Sequence, residues 1–196
     1  NTRFGNSITT AEHAISMMMA LARQIPAADR STHEGKWEKN RFMGVELYGK
    51  VLGVIGCGNI GAIVCDRAIG LKMRVVAFDP YLSEERALDL GVERVDLDTL
   101  FARADFITLH TPLNDATRGI INADSIAKMK TGVRIINCAR GGLLVEEDLR
   151  AAIDAGQVAG AAVDVFSSEP AKENALFGSD AVVATPHLGA STTEAQ

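Results

Sequence analysis

The sequence has 196 residues, 47% of them hydrophobic, 18 glycines and a net charge of −5. This composition excludes a disordered chain, and the absence of any basic run excludes nucleic acid or an anionic membrane surface as the main partner. No apolar stretch is long enough to span a bilayer. The three cysteines have neither a disulfide-framework nor a zinc-ligand spacing, so no metal is expected and a reducing cytoplasm is the expected compartment.

Residues 11–25 read as an apolar helix, opened by a capping box at Thr9-Thr10-Ala11-Glu12 and stopped by Pro26. Met17, Met18 and Met19 lie on it, as core packing or as a dimer contact. Residues 27–50 are polar and mixed, and read as a short helix and a loop. Val51–Ile55 is a β-branched run suited to a strand buried on both faces. Gly56-Cys57-Gly58-Asn59-Ile60-Gly61 follows at once. A helix over 62–71, a second apolar run over 74–78 and Asp79 at its end complete a βαβ unit. Each part has a job in holding a dinucleotide. Gly56 allows the tight turn, Gly58 lets the backbone approach a pyrophosphate, and Gly61 lets helix and strand pack closely. The helix N-terminus offers unpaired N–H groups and partial positive charge. Asp79 accepts hydrogen bonds from ribose hydroxyls. It should favour NAD over NADP, because no arginine stands beside it to receive a 2′-phosphate.

The alternation continues to the end. Helices are expected over 83–90, 98–104, 122–130 and 145–155, and strands over 92–95, 106–109, 133–137, 159–163 and 182–184. Asn122 caps its helix, and Glu146 and Glu147 favour the first turn of theirs. The fold class is therefore α/β, a Rossmann-type doubly wound parallel sheet with helices on both faces. The chain starts without methionine and stops after Ser191-Thr192-Thr193-Glu194, a capping box that opens a further helix. Residues 1–196 are expected to be one domain of a longer protein.

In such sheets ligands bind beyond the carboxyl ends of the strands. The unusual polar groups fall there in turn: Asp79, His110-Thr111-Pro112, Cys138-Ala139-Arg140-Gly141-Gly142, Asp164 with Glu169-Pro170, and Thr185-Pro186-His187-Leu188-Gly189. Arg140 suits a carboxylate. His187 suits general acid–base work, with Glu169 orienting its ring. Gly141 and Gly142 allow close backbone approach to a ligand. Each residue also has a plain reading: an Arg-Gly-Gly turn, a solvated glutamate before proline, a turn-capping Asp164. His110 is the rival to His187, while His13 and His33 receive no role.

The glycine turn with Asp79, Asn137 to Gly142, Asp164-Val165-Phe166-Ser167-Ser168-Glu169-Pro170 and Pro186 to Thr192 stand in the order of the D-isomer-specific 2-hydroxyacid dehydrogenase family, which the whole chain resembles. The resemblance implies NAD as cofactor and Arg140, Glu169 and His187 as the catalytic set. It places cofactor contacts on Asn59, Ile60, Asp79, Thr111, Cys138, Ala139, Arg140, Asp164, His187, Gly189 and Ala190, with Asp164 meeting the nicotinamide carboxamide. Gly35-Lys36-Trp37-Glu38 with Phe42 to Leu47 resembles the branch acting on a phosphorylated hydroxy acid. It also implies that the substrate domain is essentially absent from this chain and that the protein is a homodimer or higher homo-oligomer. These motifs do not separate that branch from glyoxylate or hydroxypyruvate reductases, or from non-catalytic NAD-sensing corepressors that keep the same three residues.

Overall fold

The computed structural model describes residues 3–196. α1 (Arg3–Arg23) and α2 (Ile25–His33) lead into β1 (Val51–Ile55), α3 (Asn59–Gly70), β2 (Arg74–Phe78), α4 (Glu84–Leu90) and β3 (Glu93–Arg94). α5 (Leu97–Arg103), β4 (Phe106–Leu109), α6 (Ala123–Ala127), β5 (Val133–Asn137), α7 (Glu146–Asp154), β6 (Val158–Val163) and β7 (Val182–Ala184) follow. Among the described residues the strands form one sheet in the order β3-β2-β1-β4-β5-β6-β7, every pairing parallel. The expected doubly wound architecture is present.

Two cores explain why the strands are apolar throughout. Leu52, Val54, Phe106, Ile136 and Ala162 point to one face, under α1, α3 and α4. Ile55, Ile107, Leu109, Ile135 and Val163 point to the other, under α5, α6 and α7. A strand covered on both sides needs apolar side chains at every position. The order also creates a break: the chain leaves β1 for β2 on one side and returns beside β1 as β4. The loops after β1 and β4 therefore part to opposite faces and open a crevice. Gly56 lines it with φ +94°, and a Cβ there would stand 2.4 Å from the His110 carbonyl oxygen.

Several boundaries differ from expectation. α1 begins well before residue 11, so Thr9 and Thr10 lie inside it and make no capping box. It ends at Arg23, because Gln24 takes a left-handed conformation. Pro26 then sits in the first turn of α2, where its missing N–H costs nothing, rather than closing α1. Met17 and Met18 are core residues and Met19 is exposed. α3 starts at Asn59 rather than 62, which puts Gly61 in its first turn. β3 is only Glu93–Arg94, α5 starts one residue early on an Asp96 cap, and α6 stops at Ala127. Residues 191–194 form a turn in place of a helix, although Thr192 Oγ1 accepts the Ala195 N–H at 3.2 Å.

Candidate active site

The glycine turn is built by backbone contact. A Cβ on Gly61 would stand 2.1 Å from the Gly56 carbonyl oxygen, so only glycine lets α3 start this close to β1. Gly58 caps α3 without a side chain, and a Cβ there would meet nothing within 4 Å. Open space thus lies over the first-turn N–H groups of α3, beginning with Asn59 and Ile60. Asp79 closes the turn: one carboxylate oxygen accepts the Cys57 N–H at 2.7 Å and the other the Tyr81 N–H at 2.8 Å. Each oxygen keeps a lone pair for a hydroxyl. The sequence reading placed no arginine here. Arg86 of α4 does act electrostatically on neighbouring Cys57, but it makes no ion pair with Asp79 among the described residues. These groups fit a dinucleotide: a bare helix start for phosphates and a carboxylate for a ribose.

Gly58→Ala separates fold from ligand. Its φ of −76° admits any residue and its Cβ meets nothing, so the unliganded protein should keep its stability within about 0.5 kcal/mol. NADH affinity should nevertheless fall about tenfold or more, because the methyl occupies the phosphate approach. Calorimetric titration beside thermal melts checks this; unchanged affinity would remove Gly58 from the site.

A cleft of about 350 Å³ adjoins the turn. It is lined by Ile60, Thr111, Cys138, Ala139, Arg140, Asp164, His187, Gly189 and Ala190, and also by Asn6, Ser7, Thr10, His110 and Pro112. Residues distant in sequence thus meet on one rim. Gly56, Gly58, Asn59, Gly61 and Asp79 form the adjoining turn, and Glu169 stands behind His187. Burial pushes the Cys138 thiol up, reinforced by the Asp164 charge.

His187 Nδ1 lies 2.6 Å from Glu169 Oε1. A carboxylate accepts, so Nδ1 donates and Nε2 is left as the basic nitrogen of the neutral ring. His187 adopts φ +56°, uncommon for a residue with a side chain. Asp164 accounts for it. This carboxylate is wholly buried and accepts the Leu188 N–H at 2.7 Å, the Gly189 N–H at 2.9 Å and the Thr185 hydroxyl at 2.7 Å. His13 of α1 reaches the same carboxylate at 3.4 Å and Thr185 Oγ1 at 3.2 Å. Burial pushes the Asp164 pKa up, but the bonds from His13, Thr185 and Leu188 outweigh it and hold it below the ordinary value. Asp164 is thus the anchor of the turn that presents His187.

A depressed native pKa stabilises the fold fully above the unfolded value, about 3.9, and the contribution is lost as pH falls through the native value. Asp164→Asn lacks that charge at every pH. The stability gap between wild type and Asp164→Asn, read from urea melts, should narrow as pH drops from about 5 to about 3. A constant gap would mean that the Asp164 charge does not hold the turn.

Arg140 is exposed at the cleft, with Nη1 donating to the Ala139 carbonyl at 2.7 Å and the rest of its fork available. Buried Asn137 fixes the loop beneath it, donating to the Arg140 carbonyl at 2.9 Å and accepting the Ala139 N–H at 3.1 Å. Gly141 and Gly142 serve a different purpose from the expected ligand approach. They open a short 3-10 turn, Gly141–Leu143, and a Cβ on Gly141 would fall 1.9 Å from the Phe166 carbonyl oxygen. A Cβ on Gly142 would meet the Leu113 side chain at 2.9 Å. Gly141 therefore lets the Arg140 turn rest on the segment that carries Glu169. Glu146 holds that segment from below: it is buried, and it accepts the Ser167 N–H at 3.1 Å and the Ser167 hydroxyl. His110 is unsuited to the rival role. Its ring faces Thr108 Oγ1 at 2.8 Å, and burial pushes its pKa down to about 4.

The sequence reading gave no site role to His13, Asn137, Glu146 or Thr185. Asn137 and Thr185 fall in the strand-end stretches that it marked, but their supporting bonds were not foreseen. His13 and Glu146 act through long-range contacts with no local signature.

The crevice at the β1/β4 break, the bare glycine turn and a rim carrying an arginine and a histidine–carboxylate pair define a dinucleotide-binding domain of the dehydrogenase class. A family model described as D-isomer specific 2-hydroxyacid dehydrogenase, NAD binding domain, matches residues 15–189, and the chain belongs to that family. NAD is accordingly its cofactor. Over its full length the chain is 53% identical to D-3-phosphoglycerate dehydrogenases of Synechocystis sp. and of Archaeoglobus fulgidus, and 47% identical to that of Homo sapiens. It covers 35%, 37% and 37% of those proteins, so it spans little more than a third of the length of these curated relatives. Among solved structures, a glyoxylate reductase from Paecilomyes thermophila superposes with a TM-score of 0.91 at 34% identity, covering 99% of this chain and 58% of that one. The apo D-lactate dehydrogenase of Escherichia coli superposes at 0.89 with 38% identity, covering 96% and 60%. No helix among the described residues is long and apolar enough to cross a membrane.

Proposed function

We propose that this chain is the NAD-binding domain of a phosphoglycerate dehydrogenase, which interconverts 3-phospho-D-glycerate and 3-phosphohydroxypyruvate in the cytoplasm, toward serine. The observation that carries the reaction type is the His187–Glu169 pair at 2.6 Å on the same rim as Arg140. Identity of 53% to phosphoglycerate dehydrogenases, against 34% to the glyoxylate reductase, favours the phosphorylated substrate.

When bound, NAD supplies hydride transfer. The chain supplies the rest. Gly58, Asn59 and Ile60 hold phosphates, and Asp79 holds a ribose. Thr111, Cys138, Ala139, Asp164, Gly189 and Ala190 wall the nicotinamide end. Arg140 binds the substrate carboxylate through its planar fork. His187 Nε2 removes the hydroxyl proton in oxidation and returns it in reduction. Glu169 keeps Nε2 as the basic nitrogen and stabilises the ring once protonated. The chain is read as one domain, with the phosphate-recognising wall supplied by a second domain outside it.

Assembly as a homodimer is part of the same reading. Its support is the exposure of Trp37, Met43 and Tyr48 in the stretch after α2, with Met19 and Ile25 also exposed on α1 and α2. Steady-state assay of the full-length protein tests the whole. NAD with 3-phosphoglycerate should turn over, NADP should serve at least about tenfold less well, and glyoxylate should be a poor substrate for NADH oxidation. Preference for glyoxylate would replace the substrate while leaving the chemistry.

A further inference from the structure

His13 of α1 is half-buried and does not line the cleft, yet it stands under the turn that presents His187. Hydrogen-bond chemistry fixes what it does there. Thr185 has one hydroxyl proton, and Asp164 Oδ1 accepts it at 2.7 Å; the Met17 sulfur at 3.8 Å is the weaker acceptor. With that proton spent, Thr185 Oγ1 can only accept, and His13 Nε2 lies 3.2 Å from it. The Asp164 carboxylate, with Oδ1 3.4 Å from the same nitrogen, can also only accept. Nε2 therefore carries the proton of the neutral ring and donates, shared between the two oxygens.

That donor controls a rotor. A threonine O–H swings about its C–O bond, here between Asp164 and the Met17 sulfur. An N–H held against the oxygen occupies a lone pair and leaves the proton aimed at Asp164 Oδ1. The same Oδ1 accepts the Leu188 N–H at 2.7 Å, and Leu188 follows His187 directly. This bond holds His187 at φ +56°, a conformation that persists only with outside support. Thr10 stands one turn before His13 on the same face of α1 and donates to the Gly189 carbonyl at 3.3 Å. α1 thus grips the turn at both ends, at Thr185 and at Gly189.

We propose that His13 is a positioning residue for the acid–base step: its Nε2–H aims the Thr185 hydroxyl at Asp164 Oδ1, and Oδ1 in turn holds the Leu188 amide that sets the His187 ring over the cleft. His13 exchanges no proton with substrate and acts only through His187. Without its N–H the Thr185 hydroxyl is free to leave Oδ1, and the His187 turn relaxes. A shift of about 1 Å at a reacting group can cost about 10²-fold in rate, so a partial relaxation should cost about tenfold. The dinucleotide turn follows β1, away from this network, and should keep its hold on the cofactor. The inference rests on the proposed acid–base role of His187.

A double-mutant cycle in the full-length enzyme tests this, with NADH binding titrated by fluorescence in parallel. A glutamine side chain places an amide N–H near the site of a histidine Nε2, and asparagine places one near the site of Nδ1. His13→Gln should therefore keep kcat within about threefold of wild type, while His13→Asn and His13→Leu lower it about tenfold. All three should hold the NADH Kd within about threefold. The Gln and Asn pair carries the result if the leucine variant fails to fold. A residue that acts through another has no effect once the other is gone. Added to His187→Ala, His13→Asn should therefore leave the residual rate unchanged within about twofold. Equal fractional losses in the two backgrounds, a Gln variant as slow as Asn, an Asn variant as fast as wild type, or an NADH Kd that rises in step with the loss of kcat would each overturn the inference. If His187→Ala alone costs less than about tenfold, the acid–base role of His187 is refuted, and the inference with it.

Discussion

Replacing His187 by alanine in the full-length enzyme should lower kcat by about 10² to 10⁴-fold, the range that a positioned acid–base group contributes. NADH affinity should change far less. Nε2 is the only nitrogen of the pair open to the cleft, because Nδ1 is held by Glu169 at 2.6 Å. The dinucleotide turn, in contrast, is built from Gly56 to Gly61 and Asp79. Glu169→Gln should also lower kcat, because an amide can donate as well as accept at Nδ1 and no longer fixes Nε2 as the basic nitrogen. Steady-state kinetics with NADH titration separates the two effects. A loss of kcat under about tenfold on removing His187 would assign the proton to another group. His110 has a half-buried ring against Thr108 Oγ1 and a pKa pushed down to about 4, so His110→Ala should be the milder change; a larger loss there than at His187 would make His110 that group.

The second large effect is expected at Gly141. A methyl there would stand 1.9 Å from the Phe166 carbonyl oxygen, with the Phe166 carbonyl carbon at 2.0 Å, so the obstacle is backbone. Gly141→Ala should therefore cost about 3 kcal/mol, the upper part of the usual range for overpacking. That corresponds to a fall in Tm of about 6–12 °C for a domain of this size. It should also cost activity out of proportion to stability. The clash pushes the Arg140 turn away from the segment that carries Glu169, and a misplacement of about 1 Å can cost about 10²-fold in rate. Gly142→Ala is the control, because its methyl meets the movable ends of side chains, Leu113 at 2.9 Å and Arg118 Nη1 at 3.5 Å, and no backbone. It should cost about 1 kcal/mol. Equal melting of the two variants would show that the Arg140 turn does not depend on contact with Phe166.

The strands were legible in the sequence because both of their faces are buried. Val51–Ile55, Phe106–Leu109 and Val133–Asn137 match their apolar runs residue for residue. The dinucleotide turn was legible because close backbone approach demands glycine and nothing else will substitute. Helix starts were harder to read. Thr9 and Thr10 look like a cap, but burial of Ala11, Ala14, Met18 and Leu21 on one stripe rewards a helix that runs through them. The support of the rim was hidden for another reason. Glu146 meets Ser167, and His13 meets Thr185 and Asp164, across long stretches of chain. Local patterns carry no trace of such pairings, so Glu146 read as an ordinary first-turn acid and His13 as a helical surface residue. Gly141 was noticed, but for the wrong neighbour.

The reach of α1 has a practical consequence for anyone excising this domain. Thr10 donates to the Gly189 carbonyl at 3.3 Å, and His13 stands on Asp164 and Thr185, so the floor of the His187 turn is partly made of residues that precede position 15. The family match begins at residue 15. A gene fragment trimmed to that limit would retain every glycine of the cofactor turn and all three residues of the proposed reaction, while deleting two of the supports beneath its base. Cloning boundaries for the isolated domain belong upstream of Thr10.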